Sequence, residues 1–207
     1  MTLPQPPLLV ITDGARARKP LAKIVAKACD SGCRWFMVRE KYLPQEELAA
    51  LVIECQAATR GTDAIISVNT DIGIAIACGA DGIHLPSGGQ IAMAKHRLGG
   101  IVGVSAHNLD EVRFAFAEGA DYVTLSPIFA SSSKPGYGPA LGLAKLRDTA
   151  ERVSIPIVAL GGIDAGNTSR CLAAGAAGVA VMGAVMTASD PRRVSADLVA
   201  AVTQVVC

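Results

Sequence analysis

The sequence predicts an α/β protein, a single (β/α)8 TIM barrel that covers residues 1–207 as one domain. Short apolar runs of strand length alternate with Ala-rich segments of helical length, and neither a change of composition nor a linker separates these units. Right-handed crossovers between parallel strands then give a sheet that closes on itself. The alternative, a doubly wound open sheet, is less well supported because no G-x-G-x-x-G motif follows the first strand.

Eight runs rich in β-branched residues have the apolar character of strands that are buried on both faces. In chain order they are Leu8–Thr12, Trp35–Val38, Ala64–Val68, Gly82–Leu85, Ile101–Val104, Tyr122–Leu125, Ile157–Leu160 and Val179–Met182. Amphipathic segments of helical length lie between or after them, for example Pro44–Thr59, Leu109–Glu118 and Arg192–Val205.

A weak repeat predicts where four of the helices end. Each copy places a glycine shortly before the next strand, as in Ser31-Gly-Cys33, Cys78-Gly-Ala-Asp81, Glu118-Gly-Ala-Asp121 and Ala174-Gly-Ala-Ala177. Glycine readily adopts the left-handed conformation that stops a helix before the chain turns into a strand. We therefore expect a left-handed glycine at each of these joints.

The composition limits the classes of partner. The chain has 207 residues, of which 51% are hydrophobic and 4% aromatic, enough for one domain around an aliphatic core. A net charge of +1 without a basic run does not indicate nucleic-acid binding. No apolar stretch approaches the roughly 20 residues of a membrane span, and the first residues lack the pattern of a signal peptide. We expect a cytoplasmic protein with no nucleic-acid or membrane partner.

The six cysteines show neither C-x-x-C spacing nor a histidine at zinc spacing. Small buried thiols are common in cytosolic α/β proteins, and we interpret these cysteines in that way.

Glycines end the last two predicted strands. In this fold the chemistry lies at the C-terminal ends of the strands, and a phosphate commonly binds after strands seven and eight. Gly161, Gly162 and Gly183 stand at those two ends and let a ligand approach the backbone N–H groups closely. The sequence therefore predicts a phosphate site at this part of the rim.

Two cationic residues, Arg39 and Lys41, directly follow the second predicted strand. They are either a solvated surface pair or a clamp on an anionic substrate, with a bidentate fork from Arg and a point charge from Lys. Their placement opposite the predicted phosphate site favours the clamp.

The three histidines receive different interpretations. His84 lies within a strand and fits a core position, whereas His96 lies in a basic helix and fits an exposed one. His107 begins the loop after the fifth strand, just before a helix that Asn108 opens. It has either a structural role at this helix start or the role of general acid and base at the rim, because histidine titrates near neutrality.

The segment Ala130–Gly138 is rich in Ser and Gly and cannot pack a core. It is either a plain linker or a mobile lid over a phosphate, with Lys134 at its tip, and we favour the lid. The carboxylates at the rim are Asp13, Glu40 and Asp71, and they show no obvious metal spacing.

Taken together, these blocks resemble the thiamine phosphate synthase superfamily, which includes the thiazole tautomerases, over nearly the whole chain. The blocks are Leu9-Val-Ile-Thr-Asp13, Val38-Arg-Glu-Lys41, Gly79-Ala-Asp-Gly-Ile-His-Leu85, Val102-Gly-Val-Ser105 with His107, Gly119-Ala-Asp-Tyr122, Pro127-Ile-Phe129 with Ser131–Lys134, and Ala159-Leu-Gly-Gly-Ile163. Each block is weak alone, but their order and spacing together are highly specific.

The resemblance implies roles for residues at the rim. Arg39 and Lys41 would hold the pyrimidine diphosphate, Asn69 would face the diphosphate, and Ser105 would line the pyrimidine pocket. The loop over the phosphates would contain Ser131, Ser133 and Lys134, and the thiazole phosphate would bind at Gly161, Gly162 and Gly183.

The departures from the synthase pattern concern the metal and the motif of the second strand. Synthases of this family have an Asn-Asp pair after the third strand and an acidic residue after the fourth, which hold Mg²⁺. Here the corresponding segments are Asn69-Thr70 and Pro86-Ser-Gly-Gly89, and Asp71 is out of register by one residue. In the second-strand motif, Met37 replaces the glutamine expected there. The turn Leu85-Pro-Ser-Gly88 looks more like the tautomerase branch, in which a histidine after the fifth strand, here His107, moves a proton.

We therefore expect an enzyme of thiamine biosynthesis that binds a thiazole phosphate and transfers a proton without a metal, as a tautomerase-type isomerase. The first alternative is a Mg²⁺-dependent thiamine-phosphate synthase, a transferase that joins hydroxymethylpyrimidine diphosphate to the thiazole phosphate. The second alternative is a non-catalytic regulator that binds the phosphate ligand. No cofactor is expected unless the synthase alternative holds, and a homodimer is an expectation from the fold alone.

Overall fold

The structure is a computed structural model that describes residues 2–130 and 139–204. Within these residues it forms eight strands and nine helices. The strands are β1 (Leu8–Ile11), β2 (Trp35–Val38), β3 (Ile65–Asn69), β4 (Gly82–Leu85), β5 (Ile101–Ala106), β6 (Tyr122–Leu125), β7 (Ile157–Leu160) and β8 (Gly178–Val181). The helices are α1 (Leu21–Asp30), α2 (Gln45–Ala58), α3 (Ile72–Ala77), α4 (Ile91–Leu98), α5 (Leu109–Ala117), α6 (Gly142–Ala150), α7 (Ala165–Ala173), α8 (Gly183–Met186) and α9 (Pro191–Thr203).

The strands form a closed parallel barrel in chain order. Each strand pairs with the next, and β1 also pairs with β8 through the Leu8–Val179 and Val10–Val181 registers. The closed ring confirms the predicted (β/α)8 barrel and contradicts the open-sheet alternative. Four of the predicted strands, β2, β4, β6 and β7, have the observed limits. The other four differ by one or two residues at one or both ends, because apolar patterning is weakest where a strand emerges from the core.

The predicted glycine joints are confirmed. Gly32, Gly79, Gly119 and Gly175 have φ angles of 96°, 59°, 88° and 93°, in the left-handed region. Each follows a helix end and precedes the next strand, where the chain reverses direction. At these four points the local sequence alone specifies the backbone conformation.

Two apolar layers fill the molecule. The smaller one occupies the barrel interior and includes Leu9, Trp35, Met37, Tyr122 and Val158. The larger one fills the space between the barrel and the helices, as strands that are buried on both faces require.

Most of the cysteines belong to the outer apolar layer. Cys29, Cys33, Cys55 and Cys171 are buried and carry free thiols, as predicted, whereas Cys78 is partly exposed. Burial raises the pKa of Cys33 and of Cys55 to about 12, which makes these two thiols unreactive near neutral pH. Among the described residues, no helix is both long and apolar enough to cross a bilayer.

The ring of Tyr122 lies in the barrel interior directly against the backbone of Gly103. A Cβ atom on Gly103 would overlap the Cζ and Cε1 atoms of that ring. Trp35 packs edge-on against the same ring, with the ring centroids 4.8 Å apart. The phenol therefore has one place in the interior, and only a glycine at position 103 leaves room for it.

We predict that Gly103→Ala lowers the free energy of unfolding by about 1–3 kcal/mol, because the added methyl group overpacks the barrel interior. Chemical denaturation followed by circular dichroism measures the loss. Gly73→Ala, at an exposed position of α3, is the matched control and should leave stability unchanged or slightly raised. Equal effects of the two substitutions would contradict the role of Tyr122.

Candidate active site

A cluster of polar side chains surrounds His84 in the barrel interior. The Nδ1 atom of His84 lies 3.1 Å from the hydroxyl oxygen of Tyr122, and its Nε2 atom lies 3.0 Å from Oγ of Ser105 and 3.3 Å from Oγ1 of Thr124. Burial, with a smaller contribution from the charge of Arg39, lowers the pKa of His84 to about 3. His84 is thus a neutral core histidine, as the sequence predicts.

The partners of His84 were missed in the sequence. They come from β5 and β6, and no local pattern indicates that a tyrosine, a threonine and a serine converge on one imidazole. The alternation of side chains along each strand could have indicated it, because all four residues fall on inward-facing positions. Ser105 is only half-buried, so the cluster reaches the mouth of the barrel.

The chain around Arg39 is held by a second group of hydrogen bonds. The hydroxyl of Thr12 donates to Oε1 of Glu40 over 2.6 Å and accepts from the backbone N–H of Arg39 over 2.9 Å. The other carboxylate oxygen of Glu40 accepts from the N–H of Gly14 over 2.8 Å. Glu40 therefore fastens the end of β2 to the end of β1.

The two predicted cationic residues differ in exposure. Arg39 is half-buried, and it follows the inward-facing Met37 by two residues, so its side chain is directed to the barrel mouth. Its charge contributes, after burial, to the lowered pKa of His84. Lys41 is exposed at the start of the following loop. Arg39 is thus the better placed of the two to meet an anion inside the mouth.

The end of β3 has an unusual backbone. Thr70 has a φ angle of 71°, a conformation that β-branched residues seldom adopt. Its N–H donates to the carbonyl oxygen of His84 over 2.8 Å, and its Oγ1 accepts from the amide group of Asn69 over 2.8 Å. The side-chain amide of Asn69 is thereby held at the rim.

The carboxylate of Asp71 caps a helix. Its Oδ1 accepts from the N–H of Ile74 over 2.9 Å at the start of α3, and its Oδ2 accepts from Nε2 of Gln45 over 3.1 Å. The capping role explains why Asp71 stands one residue away from the position of the acid in the synthase pattern. As the N-cap of α3, Asp71 is committed to the helix rather than to the mouth of the barrel.

The donor atoms at this rim do not fit a protein-built Mg²⁺ site. Magnesium prefers carboxylates together with substrate phosphates, and the carboxylates of Glu40 and Asp71 are both used in structural hydrogen bonds. Asp13 lies 3.6 Å from the guanidinium of Arg16. Among the described residues, no group of three or more His, Cys, Asp or Glu side chains could hold a metal ion. Pro86–Gly89, after β4, adds no acid.

The glycines after β7 are required by the neighbouring loop. Gly161 and Gly162 have φ angles of 101° and 64°. A Cβ on Gly161 would lie 2.9 Å from Cα of Pro127, and one on Gly162 would lie 2.8 Å from Cβ of Phe129. The backbone after β7 is therefore pressed against the segment after β6, and a side chain at either position would disturb both.

The backbone N–H groups on this side of the rim are available to a ligand. Gly183 is the first residue of α8, where N–H groups have no partner within the helix. Within residues 2–130 and 139–204, the N–H groups of Gly162 and Gly183 donate no hydrogen bond. The structure thus places the predicted glycines on neighbouring strand ends, with N–H donors of the kind that bind phosphate.

His107 lies at the rim with one ring nitrogen fixed. Its Nδ1 is 2.9 Å from the carbonyl oxygen of Ser126, and because a carbonyl can only accept, Nδ1 carries the proton. The helix cap is Asn108, whose Oδ1 accepts from the N–H of Glu111 over 2.9 Å. The predicted Ser131, Ser133 and Lys134, with most of the proposed lid, lie outside the described residues.

Comparisons with known proteins find relatives along nearly the whole chain. The family model described as "Thiamine monophosphate synthase" matches residues 8–185. The thiamine-phosphate synthase of Methanoregula boonei is 39% identical over 195 residues, which cover 92% of this chain and 90% of the relative. That of Geobacillus thermodenitrificans is 38% identical over 200 residues, with 94% and 90% covered. The chain is also similar to a putative thiamine-phosphate synthase of Geobacter sulfurreducens, at 38% over 197 residues, with 93% and 92% covered.

Solved structures extend the comparison. The thiamine phosphate pyrophosphorylase of Pyrococcus furiosus superposes with a TM-score of 0.87 at 33% identity and covers 97% of this chain and 96% of that one. A 3-hexulose-6-phosphate synthase has a TM-score of 0.74 at 21% identity over 94% of this chain and 98% of its own, which shows a shared fold alone. The expectation that this chain stands closer to the tautomerase branch finds no support here, because its relatives are named synthases.

The low pKa of His84 predicts a dependence of stability on pH. The unfolded state takes up a proton near pH 6.5, but the folded state does so only near pH 3, so stability falls as the pH drops through this window. The loss between pH 7 and pH 5 should be roughly 2 kcal/mol. In urea denaturation at several pH values, His84→Gln should flatten this dependence, whereas His96→Gln, at an exposed position, should not. A parallel dependence in all three proteins would contradict the assignment.

Proposed function

Because this chain belongs to the thiamine monophosphate synthase family, we propose that it joins hydroxymethylpyrimidine diphosphate to a thiazole phosphate. The observation that carries the proposal is the likeness to named synthases along nearly the whole chain, including every strand of the barrel. The products are thiamine phosphate and free diphosphate. The reaction is therefore a transfer, as in the alternative drawn from the sequence, rather than an isomerisation.

The bond that breaks joins the methylene carbon of the pyrimidine to an oxygen of the diphosphate. The diphosphate leaves with the electron pair, and the ring nitrogen of the thiazole supplies the pair for the new carbon–nitrogen bond. Negative charge grows on the leaving group, so a cation placed there lowers the barrier. In this proposal Arg39 meets that charge as a bidentate partner, with Lys41 beside it and Asn69 as a hydrogen-bond donor.

The second substrate is held at the ends of β7 and β8, which lie three and two strands from β2 around the closed barrel. The N–H groups of Gly162 and Gly183 bind its phosphate, together with the close backbone at Gly161. Fixing the phosphate brings the thiazole ring to one orientation and reduces the entropic cost of the encounter. Ser105 contacts the pyrimidine between the two anionic groups. The phosphate roles that the resemblance implies for Ser131, Ser133 and Lys134 stay predictions, because these residues lie outside the described part of the chain.

This chain departs from the synthase pattern in the carboxylates that would hold Mg²⁺. The oxygen donors at the rim do not fit Mg²⁺. In this proposal, side-chain cations therefore neutralise the negative charge of the leaving diphosphate. A metal held mainly by the substrate's own diphosphate would show as a magnesium requirement. Assays across a magnesium titration, with a chelator as the lower limit, measure that requirement directly.

A second candidate is supported by the carboxylates of the rim. Among the described residues, Asp13, Glu40 and Asp71 all have partners. Such a rim, together with a His107 whose tautomer is fixed by Ser126, suits a metal-independent proton transfer on a thiazole carboxylate phosphate. In that reaction His107 shuttles the proton, and Arg39 or Lys41 neutralises the carboxylate. The two candidates use one phosphate anchor and differ in whether a pyrimidine substrate is consumed.

The synthase proposal predicts that purified protein forms thiamine phosphate from the two substrates. Arg39→Ala should lower kcat/KM by about a hundredfold, or about 2.7 kcal/mol, because the leaving diphosphate loses its charged partner. Arg60→Ala, at an exposed position after α2, is the control and should retain full activity. Chromatographic detection of thiamine phosphate provides the measurement. A folded protein that forms no product at any magnesium concentration would contradict the proposal.

The tautomerase candidate predicts that solvent deuterium enters a thiazole carboxylate phosphate in the presence of the protein. His107→Asn should abolish the exchange and leave binding of the compound unchanged, as measured by NMR and calorimetry. His96→Asn serves as the control. Exchange at the full rate in His107→Asn would remove this histidine from the chemistry.

A further inference from the structure

A line of three hydrogen-bonded side chains crosses the barrel interior and ends at its mouth. Tyr122 on β6 contacts Nδ1 of His84 on β4, and Nε2 of His84 contacts Oγ of Ser105 on β5. We call these three residues the relay. Tyr122 and His84 are fully buried or nearly so, whereas Ser105 is half-buried at the open end.

The inner end of the relay is fixed by packing. The Tyr122 ring fills the space above Gly103 and packs against Trp35, so its hydroxyl cannot turn to another partner. In the part of the chain that the structure describes, the hydroxyl of Tyr122 bonds only to His84. Its proton therefore has one acceptor within reach, the Nδ1 atom of the imidazole.

This restriction sets the direction of every proton in the relay. If Tyr122 donates to Nδ1, then Nε2 carries the ring proton and donates to Ser105, with a longer contact to Thr124. The opposite tautomer would leave the buried Tyr122 proton without an acceptor, and Ser105 and Thr124 would compete for one lone pair on Nε2. An unsatisfied buried hydroxyl costs about 1–3 kcal/mol, so the first arrangement wins.

We propose that the relay turns the hydroxyl proton of Ser105 outward, so that Ser105 recognises a hydrogen-bond acceptor on the pyrimidine substrate. The Ser105 oxygen accepts from His84, and within the described residues the hydroxyl proton of Ser105 has no acceptor, so that proton needs a partner at the mouth. A ring nitrogen of the pyrimidine is an acceptor of this kind. Tyr122 and His84 are positioning residues that act through Ser105, and the inference rests on the proposed function for the identity of the ligand.

The tautomer of His84 is the first test and needs no turnover. In ¹⁵N-labelled protein at pH 7, two-bond ¹H–¹⁵N spectra should show the proton on Nε2 of His84, with the signal assigned by its loss in His84→Gln. A proton on Nδ1 would overturn the relay. This measurement is independent of the synthase assay, so a failed assay contradicts the proposed function alone.

The second test asks whether Tyr122 acts through Ser105. Tyr122→Phe keeps the ring and removes the donor, and it should raise the Kd for hydroxymethylpyrimidine diphosphate about tenfold, or about 1.4 kcal/mol, with the Kd for thiazole phosphate unchanged. Ser105→Ala should cause a similar loss, and the double variant should be no worse than Ser105→Ala alone. Tyr42→Phe and Ser154→Ala, both at exposed positions, are the matched controls.

Losses that add in the double variant would show two independent structural effects and overturn the proposal. So would an equal weakening of both ligands by Tyr122→Phe, because that result indicates general damage to the barrel. Calorimetry measures all of these constants on the full chain.

Discussion

The pairing of β1 with β8 is the constraint on which the rest of the molecule depends. Once that pairing closes the sheet, no strand has a free edge and every strand is buried on two faces. The interior then has a fixed width, and its side chains must fill it without a gap. A tyrosine crossing the interior is accommodated because β5 offers Gly103, which has no side chain at the point of contact.

Closure also determines where polar groups can lie. The inner wall is buried, so an imidazole there stays neutral and needs hydrogen-bond partners on neighbouring strands. At the C-terminal rim of the barrel, Thr12 and Glu40 fasten the chain around Arg39. The rim thus divides into a side with cationic side chains and a side with backbone N–H groups, and a neutral hydrogen-bonded cluster lies between them.

Features of this fold that depend on short stretches of sequence could be predicted, whereas contacts between side chains from different strands could not. Strand positions and the left-handed glycines depend on short stretches, so apolar runs and Gly spacing predicted them to within a residue or two. The buried state of His84 followed from its strand. Its partners did not, because Tyr122 and Ser105 reach it from strands that only the closed barrel brings together.

The candidate site shows the same division. The glycine ends of β7 and β8 were predicted as neighbours because the fold fixes their order, and the structure places them so. Glu40 was expected only as a rim carboxylate, and its bonds to Thr12 and Gly14 depend on how two strand ends approach each other. The departures at Thr70 and after β4 favoured a tautomerase in the sequence, whereas the relatives of the chain are named synthases.

The left-handed backbone at Thr70 has a further consequence for how this protein could change. A threonine in that conformation costs on the order of 1–2 kcal/mol, whereas glycine or asparagine adopts it with little strain. The barrel therefore retains a strained residue at one point of its rim, where a substitution by glycine or asparagine would increase the free energy of unfolding. Selection for thermal stability would be expected to replace Thr70 early. The turnover of such a variant would show whether stability and activity are in conflict at this position.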